Sequence, residues 1–235
     1  MSAQLQPVTF SHRQSLHRSG ERITDIYFPN SGVASITTLL ADGAFIEATT
    51  VGAEGMLGAE AFLSPEPISA GETFIQVPGA NVALRLGVGA FRQELDRRGA
   101  LYDLIGRYIE VLLAQVMQVA GCNASHQVQA RCCRWLLMTH DRIASNSFEL
   151  SHELLGVMLG VRRQTVTVVA GALQHAGLIA YRHGRIRVLD RAGLEARSCE
   201  CYELMRQRYD RLLGRPSPGS SGTSSSGPSR LPAGH

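Results

Sequence analysis

Between residues 23 and 86 the apolar positions come in short runs cut by turn residues. Residues 23–28 stop at Pro29-Asn30-Ser31-Gly32, residues 33–40 at Ala41-Asp42-Gly43-Ala44, and residues 45–51 at Gly52. Asp-Gly between two β-branched runs predicts a hairpin, because both residues accept the backbone angles of a tight turn. Gly52, Gly55 and Gly58 break the next stretch, and Ser64-Pro65-Glu66-Pro67 predicts a loop. Residues 73–77 and 81–86, joined through Pro78-Gly79, predict a second hairpin. Many short strands punctuated in this way predict a sandwich, roll or barrel. Residues 1–20 are polar and predict a partly ordered leader.

From residue 88 the period changes to that of helices. Residues 88–98 predict a short helix that buries Phe91 and Leu95. A long helix follows over residues 101–120, with an apolar stripe of Leu101, Ile105, Tyr108, Leu112, Val116 and Val119 at three- and four-residue steps. More of its surface is apolar than one face needs, since Leu104, Ile109, Val111 and Leu113 lie off the stripe. One face can therefore cover the strands while another meets a second copy, and the stripe is taken as the dimer seam. Gly121-Cys122-Asn123-Ala124-Ser125 predicts a break and a hinge. Residues 127–140 predict a helix with Val128, Cys132, Trp135 and Leu136 inward, and residues 194–213 an arginine-rich helical run that carries Leu194, Cys201, Met205 and Leu212. From residue 214 the chain is Pro, Gly and Ser, which predicts a disordered tail.

Residues 151–189 hold the most specific pattern. Ser151 can cap a helix whose first turn carries Glu153 and whose apolar face is Leu154, Leu155, Met158 and Leu159. Gly160 permits a sharp turn. A second helix over residues 162–175 has the inner stripe Val166, Val169, Ala170 and Leu173, and Gly177 closes it. Arg162, Arg163, Gln164 and Thr167 fall at its N-terminal end or outer face. Two alternating runs, residues 179–182 and 186–189, join through His183-Gly184-Arg185 as a small basic hairpin. Helix, glycine turn, arginine-bearing helix and hairpin together predict a winged helix-turn-helix, in which the second helix enters the DNA major groove.

Charge supports that reading. Net charge is only +3, but residues 1–124 carry 8 Arg and 12 carboxylates, whereas residues 125–215 carry 14 Arg and 8 carboxylates. The excess of cations thus coincides with the helix-turn-helix, as a polyanion binder requires. No apolar run approaches the roughly 18–20 residues of a membrane span, and the first 20 residues hold no apolar signal core, so a cytoplasmic location is expected. The five cysteines, Cys122, Cys132, Cys133, Cys199 and Cys201, are odd in number and argue against a disulfide framework. Neither Cys132-Cys133 nor Cys199-x-Cys201 has a zinc spacing, and core packing is preferred for Cys132 over a redox or iron–sulfur role. No metal site is expected. Residues 22–87 contain no His, and no Gly-x-Ser-x-Gly, His-Glu-x-x-His or P-loop occurs, so a β-roll enzyme is not expected.

The order of elements over residues 22–213 resembles the Crp/Fnr family of bacterial transcription regulators. The resemblance is carried by YFPNSG (27–32), LADGAFIEATTVGAEGMLG (40–58), RWLLMTHDR (134–142) and, most specifically, LGVRRQTVTVVAGALQHAGLI (159–179). It implies an α+β fold: an N-terminal antiparallel, jelly-roll-like β-roll of cyclic-nucleotide-binding type, a long dimerisation helix and a C-terminal winged helix-turn-helix. The corresponding layout is leader 1–21, roll 22–98, dimer helix and hinge 99–124, DNA-binding domain 125–213 and tail 214–235. The implied partners are double-stranded DNA, a second copy of the chain and RNA polymerase.

Residue by residue, Arg163 matches the family's base-reading Arg and Thr165 a phosphate contact. Gln164 stands where the family usually has Glu, and Val168 where it often has a second Arg. The base-reading candidates are therefore Arg163, Gln164 and Thr167, and the phosphate candidates Arg162, Thr165, Arg182 and Arg185. In the roll, Gly58 is followed by Ala59 with Glu60 one place late, and residues 64–75 have no Arg for a cyclic phosphate. No cofactor is expected and the effector is left open, the alternative being a cyclic-nucleotide-responsive regulator with a non-standard pocket. The N-terminus lacks a cysteine cluster for an iron–sulfur centre, and haem binding through His12 or His17 is disfavoured because a lone His in a polar leader is expected to be solvated.

Overall fold

The computed structural model describes residues 4–41, 43–79 and 82–214. The expected disordered tail lies, from residue 215 on, outside the described residues, as do Asp42 of the first hairpin and Ala80-Asn81 of the second. The N-terminal half is built from β1 (Gln6–Val8), β2 (Ser15–His17), β3 (Asp25–Phe28), β4 (Gly32–Leu39) and β5 (Phe45–Val51), then the short helix α1 (Glu60–Leu63), β6 (Glu72–Pro78) and β7 (Ala83–Gly87). They form two antiparallel sheets, ordered β1-β7-β3 and β2-β6-β4-β5. Ala34, Val51, Leu57 and Ile75 fill the space within the roll.

Two expectations change here. The polar leader supplies β1 and β2, which pair with β7 and β6. Strands this short show no periodicity, yet the sheet edges recruit them. The predicted hairpin across Pro78-Gly79 is not one: β4 and β5 do pair, but β6 and β7 lie in different sheets. Pro78 cannot donate to a ladder beyond β6, and the chain crosses to the other sheet at this point.

Helices α2 (Val88–Leu95) and α3 (Ala100–Ser125) follow. Phe91 and Leu95 are buried as predicted. The expected hinge at Gly121–Ser125 is absent, because α3 runs through it to Ser125. A helical Gly costs about 1 kcal/mol relative to Ala, and the burial of Val119 and Cys122 outweighs that. The break falls instead at His126 and Gln127, both with extended backbone.

The C-terminal half comprises α4 (Val128–His140), β8 (Ser147–Glu149), α5 (His152–Leu159), α6 (Arg163–His175), β9 (Ile179–Arg182), β10 (Arg185–Val188), α7 (Arg191–Arg197) and α8 (Cys201–Leu213). The single helical run expected over residues 194–213 is split at Ser198-Cys199. Helix α8 turns back and lies along α3, where Met205 and Tyr209 pack on Val111. The Tyr209 hydroxyl donates to Gln115 Oε1 (2.6 Å), and Gln115 Nε2 donates to the Thr50 carbonyl (2.9 Å) and to Thr49 Oγ1.

The winged helix also docks on the roll. Trp135, Leu136, Leu155 and Leu159 share one core with Val33 and Val77 of the roll. Buried polar links also cross this joint. Glu47 accepts from Trp135 Nε1 (2.9 Å) and from Ser35 (2.9 Å), and Arg142 pairs with Glu54 at 2.7 Å with both side chains buried.

Candidate nucleic-acid interface

The helix-turn-helix forms as its sequence dictates. Ser151 Oγ accepts from the Leu154 N–H (3.1 Å) and starts α5. Gly160 ends it at φ +61°, a left-handed angle at which any Cβ would be strained. Val161 leads to Arg162, the N-cap of α6. Val166, Val169, Ala170 and Leu173 are buried, so the opposite face of α6 is turned to solvent. Ala176 caps the helix, with Gly177 left-handed just after it. The wing pairs β9 with β10 through a two-residue turn, His183-Gly184, both at positive φ as the right-handed twist of a hairpin requires. β8 adds a third strand, giving the order β8-β10-β9. Three residues long, it left no signal in the sequence.

All of the proposed DNA-contact residues lie on this exposed surface: Arg162, Arg163, Gln164, Thr165 and Thr167 on or beside the first turns of α6, and Arg182 and Arg185 on the wing. Arg163, 67% exposed, pairs with Glu153 of α5 at 2.9 Å, and Arg185 with Glu149 of β8 at 2.8 Å. Such exposed pairs are worth about 0–1 kcal/mol, so a phosphate or base edge can displace either carboxylate. Thr167 Oγ1 donates to the Arg163 carbonyl (3.2 Å) and lies 3.1 Å from His152 Nδ1. His152 stacks on Tyr181 of the wing at 4.4 Å, and burial, then Arg163, hold it below the ordinary imidazole range. This stack joins α5 to the wing and fixes the angle between them. Val168, 72% exposed, stands on the outer face of α6.

The expected dimer seam needs correction. Ile105, Tyr108 and Val119 are buried in the chain's own core, and Leu101 and Leu112 pack on the roll. The Tyr108 hydroxyl donates to the Met56 carbonyl (2.9 Å). Leu101, Ile105, Tyr108 and Leu112 of the predicted stripe thus lie on the face that covers the roll, while Val116 is only half-buried. On another side of α3, Leu113 and Met117 are 60% and 67% exposed, in line with half-buried Ile109 and with Ala120 at helical spacing. The two apolar stripes share one period, and periodicity cannot say which of them meets its own domain.

Phosphate-binding chemistry is poorly served in the roll. Glu60 accepts from the Ala70 N–H (3.4 Å) within its own loop. A cavity of about 430 Å³ where the roll meets α3 is lined by Phe28, Met56, Leu84, Leu104 and Tyr108, with Glu54 the charged residue of its wall. The guanidiniums of a second cavity, between roll and winged helix, are committed: Arg142 to Glu54, Arg191 to Asp141 and Glu195, and Arg206 to Glu203. Of the leader histidines, His17 is not solvated as expected: it is buried with Nε2 against the Asp25 carbonyl (2.9 Å), whereas His12 is exposed, its Nδ1 meeting the Gln76 carbonyl (2.9 Å).

Cys132 is core, as read from the sequence. The local spacing of the cysteines shows no metal-ligand pattern, but the tertiary fold brings three of them together. Cys122, Cys199 and Cys201 converge with His126, each contributing one donor atom within 4.8 Å of the others. No local spacing announces this, because the pairs come from helices 77 residues apart.

Residues 130–197 match the Crp-like helix-turn-helix domain. Over 195 residues the chain is 26% identical to the transcriptional regulator LdrP of Thermus thermophilus, covering 79% of this chain and 93% of that protein. The fold is similar to that of a CRP-family transcriptional regulator of Thermus thermophilus (TM-score 0.66, 23% identity, 81% of this chain and 96% of the other). It is also similar to that of a second, CRP/FNR-family regulator of the same species (TM-score 0.62, 20% identity, 84% and 98%). The chain thus carries a Crp-like helix-turn-helix domain, with a β-roll ahead of it and α3 between them, an arrangement similar in fold to that of CRP/FNR-family transcription regulators.

Proposed function

We propose that two copies of the chain join along the Ile109, Leu113, Met117 and Ala120 face of α3 and present two α6 helices to a two-fold DNA site. Arg163, Gln164 and Thr167 read bases, while Arg162, Thr165, Arg182 and Arg185 hold the backbone. The observation that carries this reading is the exposure of the first turns of α6 above a fully buried inner stripe. Arg can bond guanine O6 and N7 together, and Gln adenine N6 and N7. Gln164 in place of Glu removes an acceptor for the cytosine amino group and favours adenine. The two half-sites should lie about one helical turn, roughly 34 Å, apart. The roll, residues 22–98 with the two leader strands, acts as sensor or scaffold. In the two cavities described above every guanidinium of the wall is paired with a carboxylate, which favours an effector other than a cyclic nucleotide. RNA polymerase is the expected partner at the promoter, and the cytoplasm the expected location.

Selection of bound sequences from a random duplex pool yields the operator. Arg163→Ala should then lower the preference for that operator over random DNA by about 1–3 kcal/mol. Arg185→Ala should weaken both alike and lower the salt slope by about 1. If Arg163→Ala leaves the preference unchanged, the base-reading role of Arg163 is wrong.

A further inference from the structure

We propose that Cys122, His126, Cys199 and Cys201 form a tetrahedral site for one thiophilic divalent ion, and that the donor set selects zinc. Cys122 and His126 are four residues apart at the end of α3, hence on one side of it, and Cys199 and Cys201 bracket the start of α8. Cys122 Sγ and Cys199 Sγ are 3.5 Å apart, and Cys201 Sγ and His126 Nδ1 3.6 Å. Zn–S bonds of about 2.3 Å and Zn–N bonds of about 2.0–2.1 Å give tetrahedron edges of roughly 3.8 Å between sulfurs and 3.5 Å between sulfur and nitrogen. The separations match those of donors around a single ion. A polynuclear cluster would spread its thiolates over several metals, and four donors within 4.8 Å leave no such room.

The surroundings are those of a ligand shell. Glu200 Oε1 lies 3.0 Å from His126 Nε2, so that nitrogen carries the proton and the Nδ1 lone pair faces the thiols. A carboxylate behind a ligating imidazole orients the ring and raises its basicity. Gln118 Nε2 donates to Cys201 Sγ (3.0 Å), a hydrogen bond suited to a thiolate. Three thiolates around a divalent ion leave one net negative charge. Buried Arg134, whose field reaches Cys122 and Cys199, supplies a counter-charge. Its Nε has no hydrogen-bond partner and its Nη1 donates to Met138 Sδ (3.3 Å); its field reaches Glu47, but no carboxylate among the described residues lies at ion-pair distance from it. A buried guanidinium without an anion is costly, and a net-negative metal centre beside it lowers that cost. The three cysteines are buried, while half-exposed His126 leaves a way in for the ion. Occupancy would tie the last turn of α3 to the first turn of α8, a link that does not depend on the DNA reading.

The test uses the reduced, full-length chain, stripped by chelator and titrated with cobalt(II). One equivalent should give the intense visible bands of tetrahedral cobalt together with sulfur-to-cobalt charge transfer, and zinc should displace it. His126→Ala, at a half-exposed position that tolerates Ala, should weaken binding at least tenfold. Glu200→Gln should weaken it about 10- to 100-fold. At saturating cobalt Cys199→Ser should remove about a third of the charge-transfer intensity, one of three thiolates being lost, while Cys133→Ser leaves the spectrum intact. The proposal is overturned if reduced wild-type chain gives only the weak spectrum of octahedral cobalt. It is also overturned if His126→Ala and Glu200→Gln both bind like wild type, or if the chain is isolated with bound iron and sulfide or with a Cys122–Cys199 disulfide that resists thiol reductants.

Discussion

Replacing Glu47 with Gln should abolish a pH dependence that originates at the joint between the roll and the winged helix. Glu47 is 6% exposed, and burial, outweighing the Ser35 and Trp135 hydrogen bonds, raises its pKa from 4.5 to about 7. Ser35 Oγ lies 2.9 Å from Glu47 Oε2 and 2.6 Å from Gln76 Oε1. In the unfolded chain the carboxyl titrates near 4.5, so protons bind the folded state more tightly. The stabilisation is complete below pH 4.5 and is lost as pH rises through 7. At 1.36 kcal/mol per pKa unit, a rise of about 2.5 units corresponds to about 3 kcal/mol. Gln keeps the acceptor for Trp135 and has no charge to bury. Denaturant unfolding of both proteins between pH 5 and 8, followed by the fluorescence of Trp135, the chain's single tryptophan, measures the difference. Glu47→Gln should gain on wild type from pH 5 up to about 7 and then level off, by about 2.5 kcal/mol over that range. A difference constant from pH 5 to 8 would refute the reasoning.

Two further predictions concern the same joint and α3. Glu54→Ala strips buried Arg142 of its carboxylate and should destabilise the chain by about 3–5 kcal/mol in denaturant unfolding, whereas Glu54→Leu combined with Arg142→Met should recover most of the loss. Leu113→Glu places a charge in the exposed α3 stripe and should convert a dimer to a monomer in sedimentation or light scattering, with the helix content unchanged. A monomeric wild-type chain, or a dimeric variant, would exclude that face as the seam.

The winged helix is legible in the sequence because each of its parts has a local cause. Ser151, Gly160 and the Val166–Val169–Ala170–Leu173 stripe mark cap, turn and buried face, and the structure places each as expected. The strands of the roll are equally legible where turns bound them. What escapes depends on the third dimension. Gln76 is the extra residue of a β6 bulge opposite Val33 and Ala34, and one shifted residue changes what faces inward. Glu47, an isolated carboxylate in the run FIEATTV, is the visible trace of the buried network, yet nothing nearby in the sequence names Trp135 as its partner. The stripe on α3 is apolar as expected but meets a different neighbour from the one assigned to it. Spacing alone is silent on Cys199 and Cys201, because their partners are contributed by another helix.

Because α8 doubles back to lie on α3, the polypeptide crosses between its two halves twice, near His126 and again near Ser198. A reading head held by one strand of chain could swing about that single point. Two crossings, together with the core that Trp135 shares with Val33 and Val77 and the buried Arg142–Glu54 pair, fasten it at several separate places, so that head and roll are held as one unit.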